Sequence, residues 1–205
     1  GCNFTVHPNV FSPKYFFDTE FFARELPFQQ NEEFLEIGSG TGVIAVFAAL
    51  RGAKHVTAVD INPDAVTNTI ENAHINNMET KITVLLGDIY EPLAINSRFD
   101  TIYWNTPFGY VDESENLTVL EKAVYDPWYK ATHRFISQAG EHLKENGRLL
   151  VGFSTTLGKF DVLHMFLEKA GFTVRLVSKT QYTEKYPIAI EIFEAVRSKS
   201  RQYVC

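Results

Sequence analysis

Three glycines at alternate positions, Gly38, Gly40 and Gly42, separate the apolar residues 34–37 from the eight-residue apolar run 43–50. A short apolar run, a glycine turn and a longer apolar run read as a buried strand, a tight reversal and a helix. Glycine is needed there because it adopts positive φ without steric cost and lets other groups approach the backbone closely. The helix that follows presents unpaired N–H groups at its N-terminus, where an anionic group is favoured. Such a unit is stable only inside a larger sheet that buries the strand on both faces.

The rest of the chain supplies that sheet. Residues 55–60, 82–86, 99–104 and 148–153 read as further buried strands, and residues 63–76, 120–144 and 159–170 as helices between them. Asn62 followed by Pro63 is an N-cap with proline at the first helical position, and Gly171 stands where a left-handed C-cap belongs. Strand–helix alternation predicts a doubly wound, Rossmann-like α/β fold with a parallel sheet. Residues 172–178 and 188–196 are two more strands, joined by a segment too short for a helical crossover. They predict an antiparallel C-terminal hairpin, giving seven strands in all. The 205 residues fit one domain. Residues 1–30 form an N-terminal extension or lid, with a short strand expected at 4–7 and an aromatic-rich helix at 16–25.

Composition narrows the setting. The longest apolar run has eight residues, far below the ~20 that span a bilayer as a helix, so no membrane span is expected. No basic segment followed by an apolar stretch opens the chain, and two cysteines at opposite ends define no disulfide framework, so the expected location is cytoplasmic. The six histidines show no metal-ligand spacing. The net charge is −6, which argues against strong nucleic-acid binding. Residues 1–140 carry most of the acidic side chains, while the tail Arg197-Ser198-Lys199-Ser200-Arg201 is basic and reads as a solvated terminus.

An acidic residue at the end of the second strand, Asp60, lies twenty positions beyond Gly40 and suits ribose hydroxyls. A dinucleotide reading can be fitted, since Gly40-Thr41-Gly42-Val43-Ile44-Ala45 satisfies G-x-G-x-x-G/A. Glu36 opposes it, because a carboxylate at the strand end repels pyrophosphate but attracts an ammonium or sulfonium. In its Glu36-Ile37-Gly38-Ser39-Gly40-Thr41-Gly42 turn the chain resembles the class I methyltransferases that use S-adenosylmethionine (SAM). The resemblance implies that Glu36, Gly38, Gly40 and Gly42 hold the methionine part of SAM and Asp60 the ribose, with Ile61 among the cofactor-binding residues. It extends to Gly87-Asp88-Ile89, where Asp88 would bond the adenine amino group and Ile89 pack on the ring.

The fourth strand ends in Asn105-Thr106-Pro107-Phe108, similar to the [N/D]-P-P-[Y/F] motif of methyltransferases acting on planar nitrogen. The lone pair of an amide or aryl amine is delocalised and poorly nucleophilic. The Asn105 oxygen and the main-chain carbonyl of Thr106 would hold the two N–H bonds and aim the lone pair at the methyl group, while Phe108 stacks on the planar group. Asn105 would also border the cofactor. Thr106 replaces the usual first proline; the carbonyl survives the change, and the hydroxyl has no role in this reading. Residues 109–129 read as a substrate-facing loop entering the helix at 120. Phe11-Ser12-Pro13 and Asp18-Thr19-Glu20, with Thr19 against the cofactor, and the stretch Asp60–Val66 widen the likeness to the HemK-like, "small-domain" methyltransferases. The expected activity is N-methylation of a protein, RNA or small molecule. The alternatives are an inactive binding partner of the same fold and an NAD(P)-dependent oxidoreductase.

Overall fold

A computed structural model of the chain describes residues 1–14, 18–112, 117–182 and 187–198. The elements run α1 (Asp18–Glu25), β1 (Glu33–Ile37), α2 (Val43–Leu50), β2 (His55–Asp60), α3 (Pro63–Ile75), β3 (Ile82–Leu86) and β4 (Phe99–Asn105). They continue with β5 (Gly109–Val111), α4 (Val119–Lys122), β6 (Tyr125–Pro127), α5 (Lys130–His142), β7 (Leu143–Phe153), α6 (Phe160–Lys169), β8 (Phe172–Tyr182) and β9 (Ile188–Arg197). Seven strands form one sheet in the order β3-β2-β1-β4-β7-β9-β8. The first five pair in parallel, and β9 joins antiparallel to both β7 and β8. The doubly wound sheet with its antiparallel C-terminal hairpin is thus present.

Side-chain alternation along each central strand sends two cores to opposite faces. Phe34, Ala58, Tyr103, Leu150 and Ile192 face α1, α2 and α3. Leu35, Ile37, Val59, Ile102, Trp104, Leu149, Val151 and Phe153 face α5 and α6, through Phe135, Ile136, Leu163 and Leu167. Continuous burial of β1, β2 and β4 explains why they read as unbroken apolar runs. The sheet order reverses between β1 and β4, so their C-terminal ends leave the crevice in which open α/β sheets take ligands. Among the described residues no helix is long and apolar enough to cross a membrane.

The structure departs from the sequence reading in two places. The single helix expected at 120–144 is α4, β6 and α5, with β7 already begun at Leu143, because Pro127 cannot donate an intrahelical bond and the next helix starts only at Lys130. The Asp126 carboxylate accepts from the backbone of Ala131 and Thr132 and from the Thr132 hydroxyl, supplying partners for the open end of α5. The segment expected as a strand at 4–7 runs beside α3 without joining a sheet. Its backbone is bonded by side-chain amides spaced one helical turn apart: Asn76 at Asn3, Asn72 at Thr5 and Asn68 at His7. The start of the helix expected at 16–25, part of the loop at 109–129 and the tail from Lys199 fall outside the described residues.

Candidate active site

All three glycines of the turn after β1 have positive φ, at 67°, 54° and 75° for Gly38, Gly40 and Gly42. A Cβ on Gly38 would lie 2.8 Å from the indole nitrogen of Trp104, whereas one on Gly40 would meet nothing within 4 Å. Gly40 therefore presents bare backbone to open space. Its N–H donates to Asp60 Oδ2 at 2.8 Å, and Asn62 N donates to Asp60 Oδ1 at 2.9 Å. Asp60 thus ties the turn to the end of β2, and each of its oxygens keeps a further lone pair for a ligand. From α3, the Thr69 hydroxyl donates to the Gly40 carbonyl and Asn72 Nδ2 to the Thr41 carbonyl. Gly42 is not among the residues that line the crevice. It caps α2, and a Cβ there would strike Thr69 at 2.8 Å, so glycine serves helix packing at this position.

A cleft of about 1430 Å³ opens over this turn and is lined by Thr19, Glu36, Gly38, Gly40, Asp60, Ile61, Asp88, Ile89, Asn105, Thr106, Pro107 and Phe108. Every residue expected at the site apart from Gly42 is therefore brought to one cavity. Glu36 is 3% exposed, and its Oε2 has no hydrogen-bond partner among the described residues. Burial, and then the charge of Asp60, hold its carboxyl well above the usual carboxylate range, against the pull of the Ala45 N–H. Asp60 is itself raised by burial, opposed by the N–H groups of Gly40, Asn62 and Ile61. The cleft is short of positive charge at this end.

Across the β1–β4 boundary Glu36 pairs in register with Tyr103, whose buried hydroxyl also lacks a partner. Burial raises the phenol well above its ordinary value, and the neighbouring Glu36 and Asp18 carboxyls add to the rise. Two residues on, Asn105 Nδ2 donates to Asp18 Oδ2 at 3.0 Å, and Asn105 Oδ1 is buried without a partner. Thr106 is almost fully buried, and both its N–H and its hydroxyl donate to the Gly152 carbonyl, at 3.1 and 2.9 Å. The hydroxyl therefore has a structural role that the sequence reading withheld from it. Phe108 is fixed from behind: the Tyr129 hydroxyl donates to its carbonyl at 2.6 Å and accepts from Lys159 N at 2.9 Å.

On the far side, Ile61 is half-exposed at the rim and Ile89 is buried with φ 54°, an unusual conformation for a β-branched residue. Arg134 holds one oxygen of Asp88 at 2.5 Å. The segments α4 and β6 and the residues between them form the remaining wall through Val119, Leu120, Val124 and Tyr125. Asp18 and Tyr103 are cleft residues that sequence reasoning missed. Asp18 stood beside Thr19 in a segment already singled out, but nothing local distinguishes its carboxyl from that of any helix-start aspartate. Tyr103 lies in an apolar strand whose alternation carries no sign of a cavity.

The donor set suits a positively charged nucleoside. Glu36 offers a buried carboxyl with one oxygen unpartnered among the described residues, Gly40 offers space at bare backbone, and Asp60 offers remaining acceptors for vicinal hydroxyls. Comparison with known proteins agrees. Residues 1–184 match the family described as methyltransferase small domain. The chain is 30% identical over 182 residues to a protein of Methanocaldococcus jannaschii named as a candidate protein N5-glutamine methyltransferase, covering 87% of this chain and 89% of that one. It is 34% identical over 152 residues to the release factor glutamine methyltransferase of Aquifex aeolicus, covering 69% of this chain but only about half, 52%, of that relative. The crystal structure of the ribosomal protein L11 methylase of Lactobacillus delbrueckii superposes with a TM-score of 0.63 at 18% identity, over 91% of this chain and 82% of that one, and shares the fold. The chain belongs to the methyltransferase small domain family and is a class I SAM-dependent methyltransferase.

Proposed function

We propose that the cleft binds SAM at the glycine turn and methylates a planar nitrogen, the side-chain amide of a protein glutamine. The observation that carries this reading is the pair of buried, unpartnered acceptors, Glu36 Oε2 and Asn105 Oδ1, on either side of the strand-order reversal. When bound, SAM supplies a methyl group on a sulfonium that needs no metal or redox partner to be transferred. Glu36 would take its ammonium group, Asp60 the ribose hydroxyls, Asp88 the adenine amino group, and Ile61 and Ile89 the faces of the ring. Gly38 and Gly40 would leave room for the methionine part, and Thr19 would border it.

The acceptor half is Asn105, Thr106, Pro107 and Phe108. Asn105 Oδ1 and the Thr106 carbonyl would each accept one N–H of a primary amide, and Phe108 would lie against its plane. Such acceptors favour the pyramidal nitrogen that develops as the new bond forms. The product nitrogen is cationic and loses a proton readily, so no strong base is required beside it. The names of the two relatives favour glutamine over other planar nitrogens, and the chain's net charge of −6 favours a protein over RNA. A dinucleotide reading is disfavoured, because Glu36 would face the pyrophosphate from a buried position with no cation among the described residues acting on it. The mixed acidic lining instead suits a cationic ligand.

The test is methyl transfer from deuteriomethyl-SAM to capped pentapeptides that differ only in the central residue: glutamine, asparagine, lysine or serine. Label on the glutamine side chain is expected. Label on lysine or serine in preference to glutamine would overturn the reading.

A further inference from the structure

An asparagine side chain can act as a hydrogen-bond acceptor toward substrate only if its amide is turned the right way round, since its oxygen and nitrogen are nearly isosteric. Asn105 ends β4 at the cleft, and nothing on its own strand sets that choice. The group that meets it comes from 87 residues earlier in the chain, the Asp18 carboxylate at the start of α1. We propose that Asp18 is a positioning residue: by accepting from Asn105 Nδ2 it fixes the amide with Oδ1 as the end that receives the N–H of the methyl acceptor. This rests on the role given to Asn105 above and adds the residue through which that role is set.

Four observations support it. An ionised carboxylate can only accept, so the nitrogen of Asn105 must face it and the oxygen must face away. Asp18 is 7% exposed, and its other oxygen is taken by the backbone N–H of Thr19 at 2.9 Å, so the carboxylate is held at both ends. The helix beneath it is anchored by Phe21, Phe22, Ala23 and Leu26, all buried, with the Phe22 ring 6.0 Å from that of Tyr103. Finally, Asn105 Oδ1 has no partner among the described residues and lies over Gly152, where an added Cβ would come within 2.9 Å of it. The amide thus has one end committed and one end with an unmet acceptor. Burial raises the Asp18 carboxyl above its ordinary value, and the Asn105 and Thr19 N–H groups offset only part of that rise.

Two experiments test this. In ¹⁵N-labelled protein without ligand, the Asn105 side-chain amide pair, identified by its loss in Asn105→Ala, should show one proton shifted downfield and protected from exchange. That signature should vanish in Asp18→Ala; an unchanged signal would overturn the proposal. In methyl transfer to the glutamine pentapeptide, Asp18→Ala should lower kcat at least about tenfold with SAM affinity within about twofold, because misorientation at the reacting centre costs rate. The same change made in an Asn105→Ala background should cost nothing more, since a residue acting only through Asn105 has nothing left to position. Additive losses in the double variant would overturn the proposal, as would full activity in Asp18→Ala. Asp18→Asn preserves shape but lets the two amides pair either way round, so it should fall between wild type and Asp18→Ala, and it carries the test if the alanine variant folds poorly. An Asn105→Ala protein that keeps full activity would instead refute the role of Asn105 itself.

Discussion

Glu36 sets function against stability, and Glu36→Gln separates the two. In the absence of ligand its carboxyl is buried, lies beside Asp60 and has one oxygen without a partner. Leaving a buried polar group unsatisfied costs about 1–3 kcal/mol, and more for a charged one. The folded-state pKa is raised above the ordinary 4.5, so between that value and the raised one the native protein binds more protons than the unfolded chain. Its contribution to stability is therefore present at acid pH and lost as pH climbs through that window. Asp18 and Asp60 are raised as well and add slopes of the same sign, so the comparison must be wild type against variant at each pH. Glu36→Gln removes the titration, and the ligand-free variant should melt above wild type by about 2–4 °C for each kcal/mol recovered in a chain of this size. The gap should be small near pH 5 and grow toward pH 8. SAM affinity should move the opposite way, weakening by about 1.5–3 kcal/mol, or roughly 10- to 150-fold in Kd, on loss of one charge-assisted contact. Melting curves across pH without ligand, and calorimetric titration of SAM, measure the two effects. A variant that melts below wild type at pH 8, or a gap that does not widen with pH, would refute the reasoning.

Four further substitutions, at three positions, probe the frame around the site. Thr106→Val removes only the hydroxyl donor to Gly152 and should cost about 0.5–1.5 kcal/mol in chemical denaturation, whereas Thr106→Pro removes the N–H donor as well and should cost more. Gly38→Ala places a methyl 2.8 Å from the Trp104 indole at a φ of 67°, and should weaken SAM binding in calorimetry together with a lowered Tm. At the opposite end of the sheet, Arg148 is bonded to Glu194 at 3.2 Å, to Thr101 and to the Pro27 carbonyl, and lies 3.8 Å from Glu32. Arg148→Met leaves the buried Glu32 carboxylate without a cation among the described residues, while Glu194 keeps Arg175, and should cost about 3 kcal/mol in urea denaturation.

Where buried runs and glycine punctuation coincide, the sequence is a sound guide to this chain. Val43–Leu50, His55–Asp60 and Ile82–Leu86 fall where the apolar runs predict them, and the short connection before Ile188 is enough to require a hairpin. Asp126-Pro127 was a legible break within the expected helix at 120–144, and the apolar content around it masked the signal. The N-terminal segment was misread because its backbone partners are asparagine side chains on α3, and no strand pattern encodes such a partner. The residues expected on the glycine turn and at the ends of β2 and β4 could be picked out in sequence because each role proposed for them demands one residue type at a fixed place. Asp18 and Tyr103 were not, since their significance arises from contacts made across the fold, and the double bond of Thr106 to Gly152 is likewise visible only once β4 and β7 lie side by side.

The central claim is that one end of the cleft holds the methyl donor while Asn105 acts on the acceptor. Asn105→Ala tests it most directly, with SAM affinity and kcat measured on the same preparation. A group whose contact strengthens only as the nitrogen becomes pyramidal contributes in the transition state. The account predicts a fall in kcat of roughly 10²–10³-fold, the scale of one preorganised polar contact, with Kd for SAM within about twofold. A variant that loses SAM binding in proportion to its rate would place Asn105 with the donor and contradict the account, as would one that turns over like wild type.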